Sequence, residues 1–239
     1  IEEKRRHGLE RLASGFRTFS HFGFDEGVAG HITFRDPEFE HHFWVNPFGM
    51  HFGQICVSDL VLVDRNGEVV LGDRPVNTAA FAIHSRLHEA RPDVNAAAHS
   101  HSMYGKSFSS MGRKLEPITQ DSCAFFDDQV LFDDFTGVVL ETDDGDRIAN
   151  ALGDKRAAIL KNHCLLTTGE TVDAAVWGFR SLDRCCQSQM IAESVGQMER
   201  IPDETAAMTK EQVGSELGMW VMYQPIYDLM LEKDDSFLN

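Results

Sequence analysis

The sequence predicts an α/β fold: a three-layer α/β/α sandwich around a central mixed, mainly antiparallel sheet. Three observations carry that expectation. Short β-rich segments in the first third are joined by hairpin signals, whereas later ones alternate with helical segments, which puts helices on both faces of one sheet. The 239 residues contain no repeat and no linker rich in Pro, Gly or Ser, so a single domain is expected over 1–239, with 201–239 a C-terminal helical tail. A content of 42% hydrophobic and 25% charged residues is that of an ordinary globular protein with a sizeable core.

Leu9, Leu12, Phe16 and Phe19 recur at spacings of three and four, so residues 2–20 read as an amphipathic helix. A Gly-rich loop over 21–30 leads into a strand at 31–35, which Asp36-Pro37 breaks before a returning strand at 43–45. Asn46-Pro-Phe-Gly49 is turn chemistry. Asp64-Arg-Asn-Gly67 joins strands at 60–63 and 68–71, because Asn-Gly tolerates the positive φ of a tight hairpin. Asn77 or Thr78 caps a helix to about Ala90, which Arg91-Pro92 ends. A strand at 95–101 and a helix at 102–112 follow. Further strands are expected at 115–119 and 135–140, with the acidic stretch between them, Asp127 to Asp134, read as a solvated loop. Thr142 caps a helix to Leu152, strands cover 157–161 and 165–168, and Thr171 caps a long helix to about Met198. One more helix is expected over 209–219.

The net charge of −16 argues against nucleic acid and anionic membrane surfaces as partners, since both require a basic face. An anionic substrate must then be met by local charge or by a metal. No apolar run approaches the roughly 20 residues of a membrane span. No secretory signal opens the sequence, and its five cysteines are scattered, which fits reduced, packed thiols in a cytoplasmic protein.

The chemistry concentrates between Arg91 and Gly105. Strand side chains alternate, so His99 and His101 share a face, roughly 6.5 Å apart along the backbone. A divalent metal with an open position needs a third ligand, and His163, at the kink between two short strands, is the candidate. The plain alternative for a His-x-His pair is two half-buried polar residues at a strand end. Three imidazoles suit Zn²⁺, Mn²⁺ or Fe²⁺. Two other pairs read as packing or surface: His84 and His88 are one turn apart on a helix without a third ligand, and His41 and His42 point to opposite faces of a strand.

Five blocks in order, Gly30-His-Ile-Thr-Phe-Arg35, Asn46-Pro-Phe-Gly49, Ser58-Asp-Leu-Val61, Arg91-Pro-Asp-Val to His99-Ser-His101, and Asn162-His163 with Leu165-Leu-Thr-Thr-Gly169, resemble the class II aldolase/adducin family over about residues 5–200. The similarity to its L-fuculose phosphate aldolases implies a nine-stranded α/β/α sandwich in a homotetramer. It also implies a site near the subunit interfaces where His99, His101 and His163 hold zinc. The implied reaction is cleavage of a small sugar phosphate through an enediolate stabilised by the metal as a Lewis acid.

Two departures stand out. The acid/base glutamate that the resemblance places eleven residues before Arg91 is Ala80 here. In the implied phosphate site, the asparagine is replaced by His31 and the serine pair by Thr78-Ala79, while the Asn46 to Gly49 turn survives. Candidate substrate contacts are therefore His31, Thr33, Asn46, Gly49 and Thr78, and candidate proton-transfer groups are Asp121 and Tyr104, against solvation and packing as their plain alternatives. Three functions remain: the aldolase, a metal-dependent decarboxylase or non-haem-iron oxygenase on a hydroxy or 2-oxo acid, and an adducin-like binding scaffold. Phe22, Phe48, Phe125 and Phe126 suit an aromatic acid, although core packing explains them equally.

Overall fold

The computed structural model describes residues 1–239. Its strands are β1 (His31–Arg35), β2 (Phe43–Val45), β3 (Val61–Val63), β4 (Val69–Leu71), β5 (Ala96–Ser100), β6 (Gln129–Phe132), β7 (Ala157–Leu160) and β8 (Cys164–Gly169). They form one sheet in the order β4-β3-β2-β1-β5-β8-β7-β6, antiparallel throughout except for the β6–β7 pair. The helices are α1 (Glu2–His21), α2 (Thr78–Ala90), α3 (Met103–Ser109), α4 (Thr142–Leu152), α5 (Val172–Val195), α6 (Asp203–Val213) and α7 (Glu216–Lys233).

Alternation along β5 sorts the layers. Ala96 and Ala98 pack into the core under α1, α5 and α7, whereas Ala97 faces the smaller core under α2 and α4. His99 continues the Ala97 face. The three-layer sandwich of the sequence reading is thus present, with eight strands where the resemblance implied nine.

Local chemistry fixed several boundaries as expected. The Asn77 side chain accepts from Ala79 N–H at 2.9 Å and starts α2, and Thr171 caps α5 by accepting from Ala174 N–H at 3.1 Å. The hairpin turns on Gly67 at φ +88°, with Asp64 Oδ1 accepting from the N–H groups of Asn66 and Glu68.

Two expected strands are absent. Residues 115–119 contain Pro117, and the backbone of Leu115 pairs with the Gln129 side-chain amide through two bonds of 2.9 Å rather than with a strand. Residues 135–140 form a loop through Gly137 at φ +104°. The strand lies instead within the acidic stretch, where Gln129-Val-Leu-Phe132 enters the sheet as β6 beside β7. Buried Asp128 anchors it by accepting from Arg156 N–H at 2.9 Å.

The C-terminal segment is docked. Two helices replace the one expected over 209–219, and α5 ends at Val195, a few residues before Met198. Tyr223 of α7 is fully buried, with its hydroxyl 3.0 Å from both Ser14 and Thr18 of α1. All five cysteines are free thiols, and four of them are buried.

α2 and α4 touch where Gly145 backs onto Ala82, and a Cβ at residue 145 would strike the Ala82 carbonyl directly. Gly145→Ala should therefore destabilise the protein by ~1–3 kcal/mol through overpacking, measured as a fall in the urea midpoint with the slope unchanged.

Candidate metal centre

Three connections assemble the centre. His99 is the fourth residue of β5, where it pairs with His31 of β1 on one side and Leu166 of β8 on the other. His101 is the first residue after β5, two residues before the start of α3. His163 sits in the tight β7–β8 turn, entered through Asn162 at φ +58°, a conformation asparagine tolerates better than most residues. The ligand atoms of the three histidines lie within 4.8 Å of one another, and their ring centroids are 4.7–5.3 Å apart.

The donor set fits a divalent metal. His99 Nδ1 donates to the Leu165 carbonyl at 2.7 Å, which fixes the tautomer and leaves Nε2 with a free lone pair. All three imidazoles are held in the neutral, ligating form. Burial is the main cause in each case, reinforced for His99 by neighbouring His163 and His31 and for His101 by Lys106. For His163, burial and the nearby His101 push the pKa down to about 4. No carboxylate joins the cluster.

Beyond His99 the same face continues as a buried polar track of His31 and Thr33, expected as substrate contacts, and His84 and His88, expected as packing. His31 lies 5.1 Å from the His99 ring and 4.5 Å from that of His84. His88 Nδ1 faces the Val94 carbonyl at 3.3 Å and so carries the proton. Its Nε2 then accepts from the Thr33 hydroxyl at 2.9 Å, and Thr33 Oγ1 accepts from His84 Nδ1–H at 2.7 Å. Neither nitrogen of His31, nor Nε2 of His84, has a protein partner. His31 is pushed well below the ordinary histidine range, chiefly by burial and then by His84, so its ring is uncharged.

The remaining candidates are distributed unevenly. Thr33 is fully buried, its hydroxyl engaged by His84 and His88. Asn46 is buried with Oδ1 unpaired, Gly49 turns at φ +81°, and Thr78 is exposed at the first turn of α2. Ala80 is fully buried in an apolar cluster with Phe43, Val45, Val61 and Val63.

Asp121 is not brought to the histidines. It lines a cleft with Trp177, Arg180 and Cys185 of α5, the helix that covers the opposite face of the sheet from His99. Tyr104 is half-buried against the same opposite-face core. Of the aromatic residues, Phe125 is core, and Phe22 is covered by the Arg180 guanidinium at 4.4 Å.

Two residues that the sequence reading missed hold the segments beside the centre, the start of α3 and the 21–30 loop. Asp183 of α5, buried, accepts from Gly105 N–H at 2.9 Å. Burial raises its pKa despite the hydrogen bonds it accepts. Ser100 fastens the 21–30 loop by donating to the Phe24 carbonyl. A carboxylate eighty residues downstream and a serine between two histidines carry no local sequence signal.

Residues 10–190 match the model of the Class II Aldolase and Adducin N-terminal domain. The chain belongs to the class II aldolase/adducin family. It is 49% identical to the decarboxylase NovR of Streptomyces niveus, over 97% of this chain and 87% of that protein. It is 48% identical to the 4-hydroxy-3-prenylphenylpyruvate oxygenase/4-hydroxy-3-prenylbenzoate synthase of Streptomyces roseochromogenus subsp. oscitans, over 97% and 84%. Among solved structures, the L-fuculose 1-phosphate aldolase of Glaciozyma antarctica PI12 is 45% identical, with a TM-score of 0.91 over 97% of this chain and 91% of that one.

His101→Ala should abolish stoichiometric binding of a divalent metal while leaving the far-ultraviolet circular dichroism unchanged, as read by metal analysis after dialysis. The track carries a second expectation. His84 lies well below the ordinary histidine range and His88 falls to about 3, both chiefly through burial. A folded pKa below the unfolded value of about 6.5 means that the stability these rings contribute is full above that pH. It is lost as the pH falls towards about 3, because the unfolded chain takes up protons that the folded one refuses. The thermal midpoint should drop between pH 7 and pH 5, and should drop less in His88→Gln.

Proposed function

We propose that this protein is a metal-dependent enzyme that breaks the bond to a carboxylate carbon in a non-phosphorylated hydroxy or oxo acid. The observation that carries the reading is Ala80, buried in an apolar cluster where the family resemblance calls for the acid/base glutamate. Retro-aldol cleavage must first take a proton from a hydroxyl group, which requires a base. Loss of carbon dioxide starts from a carboxylate that is already ionised at neutral pH, so bond breaking needs none. In a 3-oxo acid the electron pair passes to the neighbouring carbonyl as an enolate, whereas a 2-oxo acid, whose carbonyl carbon is itself one end of the broken bond, needs molecular oxygen as the acceptor.

The implied phosphate site points the same way. Buried His31 is neutral and brings no positive charge to a phosphate dianion. A dication at the neighbouring histidines would depress its pKa further. The names of the two curated relatives, a decarboxylase and an oxygenase of a 2-oxo acid, agree with this chemistry.

The residues divide the work. His99, His101 and His163 would hold the metal, with His99 oriented by Leu165. When bound, the metal supplies Lewis acidity to an oxygen beside the scissile bond. His31 offers the substrate an uncharged imidazole edge, and the track of His84, Thr33 and His88 behind it holds that wall in place.

Aldol cleavage of a sugar phosphate stands second, favoured by the 45% identity to the L-fuculose 1-phosphate aldolase of Glaciozyma antarctica PI12. An adducin-like scaffold has no use for three converging neutral imidazoles.

Zinc-, manganese- and iron-loaded protein, each with a chelator-treated control, separates the readings. Carbon dioxide release from 4-hydroxyphenylpyruvate is expected to be chelator-sensitive in air and lost under argon, with no dihydroxyacetone phosphate formed from L-fuculose 1-phosphate. Chelator-sensitive dihydroxyacetone phosphate without carbon dioxide release would reverse the order.

A further inference from the structure

A net charge of −16 repels an organic acid at long range, so a cation at the centre itself has to meet the carboxylate. Lys106 is placed to do so. α3 starts two residues after His101, and Lys106 lies in its first turn. Its ammonium forms an ion pair at 2.9 Å with Glu26, in the loop whose end, Gly30, packs on the His99 carbonyl.

Both ends of that pair stand on fixed backbone. Under Lys106, Gly105 N–H donates to buried Asp183. A Cβ on Gly105 would come within 2.8 Å of Ser102 Oγ, Cys164 Sγ and Leu165 Cγ, so α3 rests directly on β8. Under Glu26, the loop is tied to β5 by the Ser100 hydroxyl on the Phe24 carbonyl. Ala29 N–H closes a turn onto Glu26 O at 3.0 Å, and Gly30 backs onto His99 O and Ser100. The loop and the helix therefore present Glu26 and Lys106 to each other beside the metal centre.

The two side chains are 44% and 36% exposed, and pairs this exposed contribute little to stability. Opening one is correspondingly easy. Nothing in the fold of either element requires the pair, because the backbone bonds just described hold both.

Taking the acid substrate proposed above as given, we propose that Lys106 is the carboxylate-recognising residue of the site and that Glu26 is its displaceable counter-ion. The substrate carboxylate replaces the Glu26 carboxylate on Lys106 Nζ, while the remainder of the substrate reaches the three histidines. An uncharged analogue gains nothing from Lys106. Exchange of one carboxylate for another leaves the net charge at Lys106 unchanged, so recognition works within a strongly acidic chain.

The test uses the full chain loaded with cobalt(II), whose visible absorption reports ligands arriving at the centre, titrated with pyruvate and with uncharged methyl pyruvate. Lys106→Met is expected to weaken pyruvate about tenfold and to leave both methyl pyruvate and the ligand-free cobalt spectrum unchanged, with Lys106→Arg restoring most of the loss. Glu26→Gln is expected to tighten pyruvate several-fold by removing the competitor. Equal weakening of both probes in Lys106→Met, no weakening of either, or looser pyruvate binding in Glu26→Gln would overturn the assignment. Wild-type protein that binds one cobalt ion yet prefers methyl pyruvate would instead remove the acid-substrate reading, and the role of Lys106 with it.

Discussion

The pairing of β5 between β1 and β8 is the constraint on which the rest of the structure depends. It sets His99 opposite His31 on one side and Leu166 on the other, and it brings the β7–β8 turn, with His163, to the end of the strand that leads into His101. Register in a sheet buried on both faces does not slip, since a shift of one residue would exchange the alanines of the two cores. Ala96, Ala97 and Ala98 are fully buried and small, so both helical layers sit close to this strand. A centre built on such a strand inherits its rigidity, and the His99 tautomer is fixed by the backbone carbonyl of the neighbouring strand rather than by a mobile side chain.

Sequence legibility followed the range of the interactions. The helix caps at Asn77 and Thr171 and the Asn-Gly hairpin were readable because each is closed by groups a few residues apart. The three metal histidines were readable because a strand end and a tight turn are local signals and the family blocks surround them. The edge of the sheet was not. Residues 135–140 have strand-like composition, yet the sheet takes Gln129–Phe132, since β6 is defined by its parallel pairing to β7 after the α4 crossover and by the Asp128–Arg156 backbone bond. Acidic neighbours disguised a strand whose own residues are Gln, Val, Leu and Phe.

The site showed the same division. Asp121 was chosen for its place along the chain, but the sheet separates it from His99, because the segment carrying it packs on α5 in the opposite layer. Conversely, His84 and His88 were dismissed for want of a third metal ligand. Their partner is a hydroxyl, Thr33, contributed by a strand some fifty residues earlier. A helical pair of histidines facing a strand threonine is a tertiary fact, visible only once α2 lies across β1. Ala80 was legible as a departure, but its meaning needed the packing. An alanine facing solvent would leave room for another group to enter, whereas this one fills an apolar cluster.

Taken together, the buried groups constrain the chemistry more tightly than the fold does. Every imidazole from His88 to His163 along the α2 face is held neutral, chiefly by burial, and the Arg35 guanidinium beside His88 is turned onto the carbonyls of His88, Arg91 and Val94. At the centre itself, positive charge would come from a metal on the open edges of His99, His101 and His163 or from a side chain at the rim. A phosphate dianion would need compensation at the far end of the substrate, where His31 stands, and a neutral ring does not provide it. A carboxylate at the reacting end needs compensation at the centre itself, which a metal on the three histidines together with Lys106 would supply. On the proposed reading, the neutral wall and the apolar packing of Ala80 go together with a small organic acid as substrate rather than a sugar phosphate.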